Sequence, residues 1–247
     1  MKQELTLNEI HEELLCQLRD ITAVCERHGI EYNLMCGTLL GCVRHKGFIP
    51  WDDDVDLLIT REEFTRFREI YPRECDSRFE LTYLDTWTPR VMNRDPEKAA
   101  AFTDLFILDH LPPEGIRRKM RILHLHLLQG MMKKNVDYSR FGLKDRILLK
   151  ATRLIGLPFS YAWKARRYEK VSMATKEGSD LHMSNGAFGL MTHVWHPDQF
   201  REKMPAPFEN LQCMIPVRYD EVLRELFGPD YMTPPPPEER VAKHLDI

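Results

Sequence analysis

The chain has 247 residues, and 43% of them are apolar, which is enough for one large domain or two small ones with a real core. This composition excludes general disorder. A net charge of −3 excludes a protein that binds nucleic acid chiefly by neutralising phosphates with its whole surface.

The spacing of the cysteines and the hydropathy of the chain indicate in which cellular compartment the protein is expected. The six cysteines have neither CxxC spacing nor metal-like spacing with histidine, so we expect free thiols in a reducing cytosol. The N-terminus is polar rather than signal-like, and no apolar run reaches the roughly 18 residues of a membrane span. We therefore expect a cytoplasmic protein that is soluble or bound peripherally to the inner face of the membrane.

The N-terminal part of the chain predicts a helix, a strand and a shorter helix. A capping box at Thr6 opens a run of apolar residues at helical spacing, and Gly29 ends it. Alternating apolar residues over 30–36 predict the strand. Residues 39–45 predict the second helix.

Four aspartates then occur within five residues, before an apolar run over 55–59: Asp52, Asp53, Asp54 and Asp56. If that run is a strand, Asp54 and Asp56 share one face while their neighbours point into the core. Carboxylates this close raise each other's pKa unless a cation neutralises them. The pattern favours a hard divalent ion, Mg²⁺ or Mn²⁺.

Further strands complete the first half. A capping box at Thr60 predicts a helix that Pro72 terminates, and 79–83 alternates as a strand. Residues 102–108 predict another strand, with Asp104 on the same face as its phenylalanine neighbours two positions away. The strands are close enough in sequence to form one mixed sheet.

The second half is mainly helical. Three helices are predicted between 113 and 177, followed by short strands near 188–194 and 208–215 and a helix over 220–227. Basic clusters fall on the three helices. We interpret these clusters as solvated helix faces first, and as contacts to an anionic membrane or a glycan carrier second.

The predicted fold class is α/β (α+β), a mixed β-sheet core with flanking helices and a helical insertion. We expect one structural domain overall, with a catalytic core over 1–112, the helical insertion over 113–185 and a C-terminal segment over 186–247 that completes the core and the site.

A calcium-binding EF-hand is the main alternative for the aspartates. Asp52, Asp54, Asp56 and Glu63 match its positions one, three, five and twelve. Leu57 excludes it, because the sixth position requires glycine for a sharp turn. A solvated acidic turn before a strand remains the other interpretation.

A phosphate-binding turn precedes the aspartates. Gly37-Thr38 lies between a predicted strand and helix, where backbone N–H groups and a hydroxyl can hold phosphate. The order of these motifs along the chain resembles the nucleotidyltransferase fold: a Gly-Thr turn comes first, the pair Asp54 and Asp56 second, and Asp104 last. That resemblance implies three carboxylates that hold Mg²⁺ against a phosphate chain.

Longer motifs narrow the resemblance. The stretches 36–41 and 44–56 are similar to the signature of the LicD family, the bacterial phosphocholine transferases related to fukutin. Residues 104–109 resemble its second acidic block, and 208–235 resemble its C-terminal block. The resemblance covers most of the chain, and 113–185 is its least diagnostic part.

The resemblance implies a reaction and its partners. We expect Mg²⁺- or Mn²⁺-dependent transfer of phosphocholine from CDP-choline to a hydroxyl of a cell-surface glycan, such as teichoic acid, lipopolysaccharide or capsule, with release of CMP. The acceptor can be lipid-linked, and nucleic acid is not an expected partner. Other CDP-linked groups would use the same metal site: phosphoethanolamine, aminoethylphosphonate, glycerol phosphate or ribitol phosphate.

Each site residue has an expected role. Asp54, Asp56 and Asp104 are the metal ligands and catalytic residues, and Asp104 is also the candidate base. The expected substrate-binding residues are Gly37, Thr38, Arg44, His45, Trp51, Asp52 and Asp53. Arg44 is preferred over His45 as the diphosphate contact because arginine grips phosphate with two hydrogen bonds.

The choline head group needs an aromatic surface. Trp51 is the first candidate because it adjoins the aspartates, and Tyr83, Trp87 and Trp195 come next, with core packing as their default role. We also consider closure of the C-terminal tail, with His244, over the site, although an exposed histidine is the default there.

Two other functional classes remain open. One is a true nucleotidyltransferase that attaches a nucleoside monophosphate and releases pyrophosphate. The other is a non-catalytic binding protein with the same fold. Three intact clustered carboxylates argue against the second of these.

Overall fold

A computed structural model describes residues 5–82, 87–133, 142–178, 180–187 and 189–242. Its centre is a six-stranded mixed sheet. The strands are β1 (Asn33–Leu34), β2 (Val55–Thr60), β3 (Phe79–Thr82), β4 (Arg90–Asn93), β5 (Phe102–Leu111) and β6 (Asp180–Met183). Their order is β1-β2-β5-β4-β3, and β6 also pairs with β5. The predicted α/β (α+β) class is therefore confirmed.

Helices flank this sheet. They are α1 (Leu7–His28), α2 (Cys36–His45), α3 (Arg61–Glu74), α4 (Ile116–Met132), α5 (Leu143–Gly156), α6 (Tyr161–Ser172), α7 (Asp198–Arg201) and α8 (Tyr219–Phe227). A separate antiparallel hairpin joins β7 (Lys203–Phe208) to β8 (Leu211–Pro216). Within the described ranges, no helix combines the length and the apolar character needed to cross a bilayer.

Local sequence signals explain several elements. The Thr6 hydroxyl and the Glu9 carboxylate form the predicted capping box of α1, and Gly29 ends that helix in the left-handed conformation. The buried face of α1 contributes Ile10, Leu14 and Leu18 to the main core. This packing fixes α1 against the sheet that carries the aspartates.

Some predicted boundaries were wrong. The strand over 30–36 is only the two residues of β1, because Cys36 adopts a positive φ of 47° and already begins α2. Pro72 lies inside α3 and the helix continues to Glu74, since a proline in the last turn removes only one hydrogen bond near the helix end.

The C-terminal strands also differ from the prediction. No strand occupies 188–194 among its described residues, where Leu190–Thr192 is a 3-10 turn. The strand that pairs with β5 is the earlier β6. The region 208–215, predicted as one strand, contains the hairpin turn followed by β8. Three residues named in the sequence predictions lie outside the described residues: Tyr83, Phe188 and His244.

Candidate active site

Three carboxylates meet where β2 and β5 lie side by side. The two strands are parallel, and their register sets Asp56 directly beside Asp104. Asp54 immediately precedes β2, and one oxygen from each of the three carboxylates lies within 4.8 Å of the others. All three side chains are buried. The structure thus brings together the three residues that the sequence predicts as metal ligands.

The carboxylate cluster is electrostatically unfavourable when it holds only negative charge. Burial, followed by the charges of Asp54, Asp104 and Asp52, raises the pKa of Asp56 well above its ordinary value, although a hydrogen bond from the Gly37 backbone partly opposes this. The same burial and charges raise the pKa of the adjacent Cys36 thiol. A hard divalent cation with oxygen ligands would neutralise this cluster, so the donor set fits Mg²⁺ or Mn²⁺.

Arg90 is the site residue that sequence reasoning missed. Strand β4 pairs with β5 so that Arg90 lies opposite Asp104. Its Nε and Nη2 donate to the two oxygens of Asp104 at 2.5 and 3.2 Å, and its guanidinium lies 4.0 Å from the centre of the Phe102 ring. Asp104 thus has a cationic neighbour on one side and the other carboxylates on the opposite side.

The N-terminus of α2 supports the cluster. The Gly37 backbone N–H interacts with the Asp56 carboxylate, and a Cβ at Gly37 would lie 2.5 Å from the Asp52 carboxylate. The Thr38 hydroxyl accepts a hydrogen bond from the Asp56 backbone N–H at 2.8 Å. Thr38 is only 3% exposed, and this hydrogen bond helps to position Asp56. Gly37, in contrast, lines the cavity.

Arg44 and Trp51 lie on another wall of the same cavity. Arg44 donates to the Tyr231 carbonyl oxygen at 3.0 Å and to His45 Nε2 at 2.9 Å. His45 is exposed and packs edge-on against Trp51. The Arg240 guanidinium lies 5.3 Å from the Trp51 ring centre. His45 therefore orients Arg44, and Trp51 presents a face that already accepts a cation.

The loop that carries Asp52 and Asp53 is fixed by distant elements. The His11 ring nitrogen Nε2 lies 2.7 Å from the Asp52 carbonyl oxygen, and the His11 ring stacks on Phe48. The Phe48 backbone N–H donates to the Glu209 carboxylate in the β7–β8 turn at 3.1 Å. Asp52 lines the cavity, whereas Asp53 is almost completely buried. The C-terminal hairpin thereby holds the aspartate loop in place.

Gly41 permits a close approach of this loop to α2. A Cβ there would lie 2.5 Å from the Gly47 carbonyl oxygen, a backbone atom that cannot rotate away. We expect Gly41→Ala to lower the free energy of unfolding by about 1–3 kcal/mol and to reduce turnover, because the loop must shift. Urea denaturation and an activity assay measure both effects.

Gly189→Ala is the matched control for that substitution. Gly189 has a helical φ of −66°, and a Cβ there meets nothing within 4 Å. We expect Gly189→Ala to change neither stability nor turnover. Equal effects of the two substitutions would contradict the close approach at Gly41.

The walls meet around a cavity of about 760 Å³. Its floor carries the three carboxylates and Arg90, and Arg44 and Trp51 form one side. Trp87 and residues from α8 and the following segment, including Phe227 and Tyr231, form the remaining walls. Trp195, by contrast, is buried in the core at 1% exposure, in agreement with the default expectation for it. The volume suits a ligand of nucleotide size.

Comparisons with known proteins match this sequence to one family model and to transferases of two kinds. Residues 29–98 match the family model described as LicD/FKTN/FKRP, nucleotidyltransferase domain. The chain is 27% identical to the lipopolysaccharide cholinephosphotransferase LicD of Haemophilus influenzae, over 98% of this chain and 97% of that protein. It is 41% identical to the ribitol 5-phosphate transferase FKRP of Homo sapiens over 59 residues, 24% of this chain and 12% of that protein.

Proposed function

We propose that this chain is a phosphotransferase of the LicD type that moves phosphocholine from CDP-choline to a hydroxyl of a cell-surface glycan, because residues 29–98 match the family model that the motifs predict. The convergence of Asp54, Asp56 and Asp104 beside two arginines in one cavity carries the proposal. Phosphoryl transfer needs fixed in-line geometry and neutralised oxygens, and this arrangement suits both needs. The cholinephosphotransferase relative, matched over nearly the whole chain, supports the choice of group.

We assign each site residue a separate role in the proposed reaction. Asp54, Asp56 and Asp104 would hold Mg²⁺ or Mn²⁺, which when bound supplies positive charge to the diphosphate oxygens. Arg44 and Arg90 line the same cavity, and their guanidinium groups would donate hydrogen bonds to those oxygens. The acceptor oxygen attacks the phosphorus that bears choline, the bond from that phosphorus to the CMP oxygen breaks, and CMP leaves with the bonding electrons. A cluster carboxylate, with Asp104 as first choice, takes the acceptor hydroxyl proton.

Trp51 is our proposed contact for the choline ammonium. Its ring accepts the Arg240 guanidinium at 5.3 Å, so this face already favours a cation. Asp52 lines the cavity nearby and adds negative charge.

All six cysteines are free thiols in the structure, which supports our proposal of a cytoplasmic location.

Transfer of ribitol phosphate is the second candidate. It is favoured by the 41% identity to the ribitol 5-phosphate transferase, although that match spans only 59 residues. The region of this match is short compared with the nearly full-length match to the cholinephosphotransferase. We therefore keep phosphocholine as the first choice.

A donor panel tests the proposal. Purified protein is incubated with lipopolysaccharide, Mg²⁺ and either CDP-choline, CDP-ribitol or CTP, and the released nucleotides are separated by chromatography. We expect CMP from CDP-choline, and no product when a chelator replaces Mg²⁺. If CMP were released from CDP-ribitol alone, the result would favour the second candidate. Pyrophosphate released from CTP would favour a nucleotidyltransferase. The absence of product from every donor would contradict transferase activity with this acceptor.

A further inference from the structure

The helical segment 116–173 exposes an unusual amount of apolar surface. Among the described residues, thirteen of the seventeen exposed large hydrophobic side chains lie in this segment. Ile116, Met120 and Leu123 form a stripe along α4 at spacings of four and three residues, and their side chains are 72%, 56% and 49% exposed. A concentration of exposed apolar side chains of this kind marks an interaction site.

Helix α5 explains why this surface faces outward. It packs on α4 through small side chains: a Cβ at Gly130 would lie 2.5 Å from the Thr152 hydroxyl, and a Cβ at Gly156 would lie 2.9 Å from Met131. The larger apolar side chains of α5 point away from this contact. Leu143, Ile147, Leu148, Leu154 and Ile155 are all more than half exposed. We use the name apolar face for the exposed apolar side chains of the two packed helices, namely these five residues of α5 and the α4 stripe.

The charge of the segment is equally uneven. Residues 116–173 contain fifteen Lys and Arg but three Asp and Glu, a net charge of +12 in a chain whose total is −3, so the remaining residues carry −15. Arg117 on α4 and Arg153 on α5 are exposed basic residues within the segment that carries the apolar face. A helix pair that exposes both apolar and basic side chains has the composition of a surface that lies in a membrane interface.

We propose that the apolar face docks on an anionic phospholipid bilayer. The apolar side chains enter the boundary between head groups and acyl chains, and the flanking Lys and Arg contact the lipid phosphates. A second copy of this chain is a poorer occupant, because the two copies of a segment with a net charge of +12 repel each other. A soluble anionic polymer would use the basic residues but would leave the apolar side chains in water.

The docking surface is firmly joined to the rest of the protein. Tyr168 on α6 donates to the Ser184 carbonyl oxygen at 2.5 Å, and Gln129 on α4 donates to the Gly186 carbonyl oxygen at 2.7 Å. The next residue, Ala187, lines the active-site cavity. Docking would therefore hold the cavity at a set position relative to the bilayer, although the proposal does not depend on which group the enzyme transfers.

Vesicle sedimentation tests the proposal without any activity assay. The full chain is mixed with vesicles of phosphatidylcholine alone or of phosphatidylcholine with phosphatidylglycerol, and bound protein is quantified. We expect at least about tenfold tighter binding to the anionic vesicles, and weaker binding at high salt. Equal binding to both vesicles, no binding to either, or lipid-independent dimerisation through this face would overturn the proposal.

Two double variants separate the apolar and basic contributions. The double variant Ile147→Gln, Leu154→Gln replaces two apolar side chains of the apolar face by polar ones, and we expect about tenfold weaker binding to anionic vesicles. Arg117→Glu with Arg153→Glu should weaken binding by at least as much and reduce its salt dependence. Val217→Gln is the control, since Val217 is a 43% exposed hydrophobic residue outside the segment. Wild-type vesicle binding by both double variants, with unchanged melting temperatures, would contradict the proposed surface.

Discussion

Asp56→Asn is expected to reduce turnover by at least roughly 10³-fold, equivalent to about 4 kcal/mol of transition-state stabilisation. Asp56 is buried beside Asp54 and Asp104, and its oxygen is one of the three that come within 4.8 Å of one another. An asparagine keeps the shape and can still accept the Gly37 hydrogen bond, but it removes the negative charge that a divalent cation requires. Turnover with CDP-choline and Mg²⁺ measures the loss.

The same substitution is expected to leave the metal-free protein equally stable or more stable. Burial and the neighbouring carboxylates raise the pKa of Asp56 in the folded state, so ionising Asp56 disfavours folding. The stability linked to its proton is present below the unfolded-state pKa and is lost as the pH rises through the folded-state pKa. In chelator, the stability advantage of Asp56→Asn over wild type should therefore grow as the pH rises above the ordinary range of an aspartate pKa towards the raised folded-state pKa.

Asp95→Asn is the control for both measurements. Asp95 is an exposed residue that accepts the Glu97 backbone N–H, a contact that asparagine also makes. We expect no change in turnover or in the pH dependence of stability for this variant. A fully active Asp56→Asn enzyme would exclude the metal role of the cluster, and a strongly destabilised one would mean that the lost activity reflects misfolding.

The convergence of the three carboxylates could be predicted because it depends on simple periodicity. Alternation from Asp54 into β2 places Asp54 and Asp56 on one face, and the apolar run over 102–108 predicts the strand that the structure extends to Leu111. Helices with strong capping signals at their ends, such as α1 between Thr6 and Gly29, could be predicted equally well. These signals are local, so the sequence around each element is sufficient.

The missed features depend on contacts between distant segments. Strand β4 has four residues without a clear apolar alternation, and Arg90 reaches Asp104 only through the β4–β5 register. The hydrogen bond from the Asp56 backbone N–H to the Thr38 hydroxyl depends on the early start of α2 at Cys36, where φ is positive. Strand β6 replaces the predicted strand over 188–194 because pairing with β5, rather than local propensity, selects it.

Arg90→Gln is expected to change metal affinity and turnover in opposite directions. The Arg90 guanidinium donates to both oxygens of Asp104, so it competes with a divalent cation for that carboxylate. Removing it takes one positive charge from beside the metal site, and we expect several-fold tighter binding of Mn²⁺. Turnover should nevertheless fall by roughly 10²-fold, because a preorganised donor to the transferring phosphate is lost.

Stability gives a third measurement for the same variant. Without Arg90 the cluster loses its cationic neighbour, so we expect a lower melting temperature in chelator and a larger recovery with Mn²⁺ than for wild type. Arg90→Lys should be intermediate, since lysine keeps the charge but not the paired hydrogen bonds. Arg94→Gln is the control, because Arg94 is a 54% exposed residue that pairs with Glu80 just after the same strand. If Mn²⁺ affinity and turnover fell together in Arg90→Gln, Arg90 would serve only to position Asp104 and would make no contact with the donor.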